Sequence, residues 1–532
     1  MGNRPVGRWL LRGLWVAAFV CIATTVAGVA LNYCPVPYWD EWDGVVGFVD
    51  HLAAGDSGAW WRPHNEHRIL LARVLFWLDA LCGERLVLPL IANLLLAAAA
   101  ALLFVRCLQQ RLPRAEDRGA RHVLAAVVAM LLFSWTQSVN WRWGFQCQFF
   151  LAQVLPLLGL VLLAHSRTSR RPRTALTLAA ACGILSLGTM ANAIATLPVF
   201  AVAAAAMRLG WRVVLLFTAA GIGGILVYFH GFMPIDGRQW LATASDPLVP
   251  ARFVCGFLGS PCFHLSHRIN GSAEAAGLLY LVLFAVALRG CWSRGRDAVE
   301  LAMLACGGSV VVAAFAAAFG RADLDAAPWT GRYTTPALTG WCALIVALAP
   351  RLAAVAGRWP RAFAIAAVVV ALPLLVLQRQ ALRVDHRTAH QRELAALALE
   401  LGVRDASAAA ALYPEPEQLR ALAEPAQRAG RFVFGLPPLR GLRAAIGRPC
   451  PASREVVAAA PPTLRPIAGD ADHLAVDYRM SAATAPSGVW LTDPGGRAVG
   501  FALVESGVTT QHAHGYVLAA AAQGTLRLFA AR

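Results

Sequence analysis

The feature that most constrains this chain is a succession of apolar runs long enough to enter lipid. A bilayer core takes about 20 consecutive apolar residues per helix. The first run is Leu10–Leu31, led in by Arg4, Arg8 and Arg12. Others are Leu86–Val105, His122–Trp135, Phe149–Ala164, Ala175–Thr189, Ala193–Met207, Val213–Phe229, Ala275–Leu288, Ala298–Phe319, Thr335–Leu348 and Ala362–Leu377. Together they predict about eleven transmembrane helices. Gly28-Val29-Ala30 resembles a leader-cleavage site, but the first run is long for a secretion signal, so a retained anchor is expected. The chain is 58% hydrophobic and 14% charged, against roughly 25% charged in a soluble domain. An ordinary soluble enzyme and a disordered chain are both excluded.

The connections between runs alternate in charge. Arg106–Arg121 holds five Arg, Arg167–Arg173 four, Arg289–Arg296 three, Arg351–Arg361 three and Met207–Arg212 two. The other set is acidic or mixed, and the first of them carries Asp40, Glu41, Asp43, Asp50, Asp56 and Glu66. The positive-inside rule then predicts a cytoplasmic N-terminus. An odd number of spans sends the chain from about Arg379 onward to the opposite side. The net charge is +17, and every basic residue is Arg. Because these Arg lie between apolar runs, the charge reads as membrane topology, and no nucleic-acid partner is expected. The excess of Ala, Arg and Gly suits a GC-rich bacterial genome. The expected location is therefore the bacterial inner membrane, multi-pass, with the active site facing the periplasm.

The expected architecture is an all-α polytopic membrane protein with a C-terminal periplasmic domain. Residues 1–379 form the transmembrane module, with a first periplasmic loop over 32–67, and residues 380–532 form the domain. Within it, Leu394, Leu397 and Leu401 have helical spacing over 380–430. A Pro-rich stretch, Pro437–Pro466, follows. Short alternating runs from His473 to Phe529, with a turn at Asp493-Pro-Gly-Gly, predict a small β-rich part. Most of the twelve Cys sit inside apolar runs, and no Cys/His spacing matches a zinc motif, so no structural metal is expected. Cys255 and Cys262 share one loop and can pair.

Three polar segments stand at the expected periplasmic surface. In Pro37-Tyr-Trp-Asp40-Glu41-Trp42-Asp43, three carboxylates crowd among aromatics. Like charges in a partly dry site raise at least one pKa, which suits proton abstraction. Asp40 and Asp43 can also ligate a divalent cation such as Mg or Mn. The plainer alternative is a solvated acidic loop with an interfacial aromatic belt. The second segment, Trp60–Arg68, follows an amphipathic stretch, Val45–Leu52, and packs His64, Asn65, Glu66, His67 and Arg68 together. These suit substrate contact or the orientation of carboxylates; His64-x-x-His67 lacks a third metal ligand. The third runs from Arg321 through Asp323 and Asp325 to Arg332 and Tyr333, at a helix entrance where guanidinium and helix N-terminus both favour phosphate. A lesser signal is Arg142, between two Trp and followed by Gln146, which suits a sugar ring as well as an interface.

These segments and the span pattern resemble the GT-C superfamily of integral-membrane glycosyltransferases. The resemblance covers the topology of the whole chain, and only residues 37–68 and 320–336 carry anything like motifs. It implies a polyprenyl-phosphate-linked sugar as donor and a periplasmic glycan, lipid or protein as acceptor. It assigns Asp40, Glu41 and Asp43 to the catalytic base or metal ligand. It assigns Arg332, supported by Arg321 or Arg68, to the donor phosphate. The Asp-Glu-Trp-Asp spacing departs from the family's plain Asp-x-Asp, which leaves metal dependence open. A lipid-linked sugar flippase and an O-antigen ligase or polymerase are the competing readings. Few ionisable residues inside the spans disfavour the first, and a modest Phe229–Glu274 loop disfavours the second.

Overall fold

A computed structural model describes residues 5–232, 246–266, 268–294, 297–321, 327–452, 454–480, 486–505 and 512–531. Arg4, Arg296, Asp323 and Asp325 lie outside these residues. The chain divides into two compact units. The first comprises Met1–Leu31, Trp61–Leu75 and Pro89–Arg383; the second comprises Asn32–Trp60, Phe76–Leu88 and Val384–Arg532.

The first unit is built of apolar helices. Nine among the described residues are long and apolar enough to cross a membrane: Trp9–Leu31, Leu88–Arg111, Arg118–Arg142, Gly144–Ser166, Trp211–Phe229, Ser272–Ser293, Ala298–Arg321, Gly331–Arg358 and Pro360–Gln378. Large side chains on them point away from the protein, with Leu95 at 65% and Leu102 at 70% exposure. A surface of that kind calls for lipid. The sequence predicts about eleven. The two remaining runs are also helical, as Pro172–Ser186 and Ala191–Ala206. The first has 15 residues, so it extends only about 22 Å at 1.5 Å per residue, short of a core about 30 Å thick.

The Phe229–Glu274 connection holds more structure than a loop, with helices Leu248–Leu258 and Ser260–Leu265. Cys255 and Cys262, which share this connection and could have paired, are both free thiols, on two successive helices broken at Gly259. Helix Leu248–Leu258 instead lies backbone to backbone on helix Ser272–Arg294. A Cβ at Gly277 would sit 1.9 Å from the Cys255 carbonyl oxygen, and one at Gly259 would sit 1.8 Å from that of Ala273. Small residues four apart on each helix permit this approach.

Polar side chains lock the helices where apolar packing alone gives no register. The Gln378 amide nitrogen donates to the Cys21 carbonyl and the Thr25 hydroxyl, both at 2.9 Å, while its oxygen accepts the Trp135 N–H at 2.7 Å. Arg111 binds Asp297 at 3.0 Å, Glu300 at 2.9 Å and the Ala347 carbonyl at 3.0 Å, joining three helices. Glu300 is 4% exposed. Removing one partner of a buried ion pair strands the other charge and costs about 3–5 kcal/mol. Arg111→Ala is therefore expected to destabilise the purified protein by that amount in a thermal unfolding measurement. Arg111→Leu with Glu300→Leu should recover most of the loss, because the buried carboxylate is gone and the one that remains, Asp297, is half exposed to water.

The second unit gathers the first loop with the C-terminal chain. The helical stretch expected over 380–430 is three helices, His386–Leu401, Ala406–Ala410 and Pro416–Ala429. Asp385 and Asp405 cap the first two, accepting backbone N–H groups of Thr388 and of Ser407 and Ala408. Gly402, at φ 78°, ends the first helix in the left-handed region that favours glycine.

The expected β-rich part is one seven-stranded antiparallel sheet. Its strands are β1 Glu455–Val456, β2 Thr463–Ile467, β3 Asp470–Arg479, β4 Gly488–Thr492, β5 Ala498–Val504, β6 His512–Leu518 and β7 Arg527–Ala530. Their order is β1-β7-β4-β5-β6-β3-β2. One face buries Val476, Tyr478, Val489, Leu491, Ala513 and Val517. Alternation turns Asp477, His514, Tyr516 and Phe501 to the other face, where helix His386–Leu401 packs on β5 and β6.

Candidate active site

The residues singled out in the sequence fall into two polar clusters, one in each unit. In the membrane unit the chain from Trp61 to Ile69 forms a tight turn. His64 N donates to the His67 carbonyl at 2.8 Å, and His67 N returns the bond at 2.9 Å. Asn65 takes a left-handed position, φ 49°, that its short amide tolerates. Glu66, between them, forms an ion pair with Arg321 at the end of helix Ala298–Arg321.

His67 Nδ1 accepts the Ala191 N–H at 3.3 Å, so its proton sits on Nε2, 3.7 Å from Glu66 Oε1. Burial pushes this imidazole down to about 4, and Arg321, His64 and Arg332 add to the shift against the pull of Glu66. His67 is thus a neutral donor at physiological pH, held beside two guanidinium groups.

Arg68 has a different place. It is 3% exposed. Its Nε donates to the Tyr228 carbonyl at 2.7 Å, one terminal nitrogen to the His230 carbonyl at 2.7 Å, and the other to the Trp61 carbonyl. All three of these donor groups are spent on backbone, so Arg68 holds the turn against the end of helix Trp211–Phe229. His64 is also buried, edge-on against Phe145 with ring centroids 5.0 Å apart, and Phe145 stacks on Trp143. This contact brings the 61–68 turn to the segment that carries Arg142, which is exposed, and Gln146, which is buried with no hydrogen-bond partner for its Oε1 among the described residues.

Arg332 lies in the turn Gly331–Tyr333 that enters helix Thr334–Arg358. A network beneath it fixes this entrance. Asn140 Nδ2 donates to the Arg332 carbonyl at 3.1 Å and to Thr335 Oγ1 at 2.6 Å; Thr335 Oγ1 donates to Gln137 Oε1 at 2.5 Å. Asn93 Nδ2 donates to the Asn140 carbonyl at 3.0 Å. The Arg332 guanidinium stands 5.5 Å from the Tyr333 ring, which packs on Phe253 and Phe257. Three successive residues then carry buried polar atoms without a hydrogen-bond partner among the described residues: Arg332 Nε, Tyr333 OH and Thr334 Oγ1. Native proteins leave few such atoms unmet. Asn93, Gln137 and Thr335 were not singled out in the sequence. For Asn93, inside the Leu86–Val105 run, a polar side chain among apolar neighbours was the available signal.

In the second unit, Trp39 precedes the carboxylates at φ 49°, its N–H donating to the Leu412 carbonyl at 2.8 Å. A bulky residue held in the left-handed region stores strain, and strain of this kind clusters at functional sites. Asp40 and Glu41 open a helix that continues as a π-helical stretch, Trp42–Gly47, and then an α-helix, Phe48–Ala53. This stretch includes the expected amphipathic segment. The three carboxylates differ in setting. Glu41 is 5% exposed and accepts the Tyr38 N–H at 2.9 Å, the reach-back bond of a capping box. Asp40 is half-buried and Asp43 exposed. Burial, then the charges of Asp43, Glu415 and Asp40, raise the nearby Tyr413 phenol.

The same unit ties its pieces with Arg431. Its Nε donates to Glu84 Oε1 at 2.6 Å and a terminal nitrogen to Asp50 Oδ1 at 3.0 Å. Burial raises the Asp50 carboxyl, with Arg431 opposing the shift. Magnesium and manganese call for about six oxygen ligands. Among the described residues no third His, Cys, Asp or Glu groups with Asp40 and Asp43 at metal-ligating distance, so this donor set does not make a closed metal site.

No protein-family model matches the chain, and no curated protein matches it. Among solved structures it is similar to an oligosaccharyltransferase of Archaeoglobus fulgidus, crystallised with Zn and sulfate, at 11% identity and a TM-score of 0.42. The match covers 71% of this chain and 55% of that one, so the chain spans about half the length of that protein.

Proposed function

We propose that this chain is a membrane glycosyltransferase that moves a sugar from a polyprenyl-phosphate-linked donor to a periplasmic glycan, lipid or protein. The observation that carries the reading is the run of unmet buried groups on Arg332, Tyr333 and Thr334 at a helix N-terminus. Guanidinium forks match phosphate oxygens, and a helix N-terminus attracts anions. Neutral His67 and the Glu66–Arg321 pair complete the cluster without cancelling the charge of Arg332.

The chemistry follows from a donor anchored in lipid. Its reactive carbon stays at the membrane surface, so the groups that act on it must be juxtamembrane. In one displacement the acceptor hydroxyl gives its proton to the Asp40 carboxylate, and its oxygen attacks the anomeric carbon. The bond from that carbon to the phosphate oxygen breaks, and the electron pair leaves with the polyprenyl phosphate. That leaving group needs positive charge, which Arg332 supplies, and no proton. Asp40 takes the role of base because it is half-buried and open to an incoming hydroxyl, whereas Glu41 is only 5% exposed.

The side of the membrane follows from parity. Helices Pro172–Ser186 and Ala191–Ala206 begin and end beside Arg-rich connections, so nine spans and eleven give the same orientation. The N-terminus is cytoplasmic under the positive-inside rule, and the second unit periplasmic.

The donor class is tested with the purified chain in proteoliposomes, offered radiolabelled sugars either on polyprenyl phosphate or on a nucleotide, together with a periplasmic glycan extract. Label is expected to pass from the lipid-linked donor only. Transfer from the nucleotide donor, or movement of the lipid-linked sugar across the bilayer without transfer, would overturn the proposal.

A further inference from the structure

Outside the cluster just described, the second unit places three metal-ligating side chains together on one face of its sheet. Strand β3 supplies Asp477 and strand β6 supplies His512 and His514. Asp477 lies directly opposite His514 in the antiparallel register. Residues two apart share a face, so His512 points the same way as His514. This is the face opposite the apolar core of the sheet, and helix His386–Leu401 packs over it.

The distances suit a common ligand. Asp477 Oδ1 is 3.3 Å from His512 Nδ1, and its Oδ2 is 3.6 Å from His514 Nδ1. Around a tetrahedral zinc ion with bonds of about 2.0–2.1 Å, ligand atoms stand about 3.3 Å apart. The two imidazoles lie nearly parallel, 10° between planes and 5.9 Å between centroids. Glu505 Oε2 is 3.8 Å from His514 Nε2, and so brings a second carboxylate to balance a divalent charge.

An independent observation comes from the helix above. The His390 ring stands 5.3 Å from that of His514. His390 is 7% exposed, and its Nε2 is buried without a hydrogen-bond partner among the described residues. A buried imidazole nitrogen left unmet calls for a partner.

We propose that Asp477, His512 and His514 bind one divalent ion of the zinc class. Two imidazoles and a carboxylate are the donor set that zinc takes with three protein ligands, leaving one position for water or for a further side chain. No spacing in the sequence announces it, because the ligands come from two strands paired in space. The ion would pin β3 to β6 beneath helix His386–Leu401, independently of the sugar-transfer reading.

The test uses the full-length protein carrying a purification tag free of histidine. It is stripped with EDTA and titrated with Zn2+ against a chromophoric chelator. One Zn2+ per chain is expected to bind at micromolar concentration or below. His512→Gln with His514→Gln should weaken that binding by more than the roughly 10–100-fold typical of losing a supporting partner. Asp40→Asn with Asp43→Asn should leave it unchanged, which separates this site from the first-loop carboxylates. Should the double His variant not fold, the nearly isosteric Asp477→Asn serves, read by loss of the visible spectrum of tetrahedral Co2+. Equal zinc binding by the wild type and the His512/His514 or Asp477 variant, loss of binding in the Asp40/Asp43 variant, or no binding by the wild type would overturn the proposal.

Discussion

Replacing Arg332 with Ala is expected to lower sugar transfer by about 10²–10³-fold, the usual cost of removing one preorganised group that stabilises transition-state charge. The loss should appear in kcat more than in KM, because the phosphate gains negative charge only as the glycosidic bond breaks. Arg332→Lys should fall between Ala and wild type: it keeps the charge but not the planar fork. The network of Asn140, Thr335 and Gln137 reaches the Arg332 backbone carbonyl, not its side chain, so helix packing should survive either change. Unchanged transfer in Arg332→Ala, measured with the radiolabelled lipid-linked donor, would remove the phosphate assignment.

Asp40→Asn is the second large expected effect. A positioned base contributes about 10²–10⁴ in rate, and the amide cannot accept the proton. Binding of the donor should be preserved while turnover is lost. Glu41→Gln should behave differently, since the Glu41 carboxylate accepts the Tyr38 N–H at 2.9 Å and a Gln oxygen can do the same. Comparing the two variants in one assay assigns the proton acceptor. Full activity in Asp40→Asn with loss in Glu41→Gln would reverse the assignment.

Much of the fold was legible because apolar period and length are local properties. All eleven apolar runs are helices, and the strand run Leu474–Tyr478 lies within β3. The turn at Asp493-Pro-Gly-Gly joins β4 to β5, with Gly496 N–H donating to the Asp493 carbonyl at 3.0 Å. Less legible was where a run stops being long enough. The helix over the Ala175–Thr189 run begins earlier, at Pro172, and the chain turns after Ser186, which no average of hydropathy shows. The sheet begins earlier than the alternation suggested, with β1 and β2 inside the Pro-rich stretch. Proline interrupts the period there, and the strands are short.

The polar clusters were legible in content and not in wiring. Glu66, His67 and Arg321 were singled out, but their contact joins residues far apart in the chain. The same holds for Arg431 with Glu84 and Asp50. Arg68 shows the reverse case. Its charge suggested a ligand, while its donors meet three backbone carbonyls.

The seam at Gly277 has a consequence for the Arg332 cluster proposed to hold the donor phosphate. A single methyl group there would collide with main chain at Cys255, and main chain cannot yield as a flexible side chain can. Helix Leu248–Leu258 would have to swing aside, taking Phe253 and Phe257 with it, and these rings cradle Tyr333. One added carbon would therefore act as a lever on the neighbouring guanidinium, detuning its aim from a position that never meets the substrate.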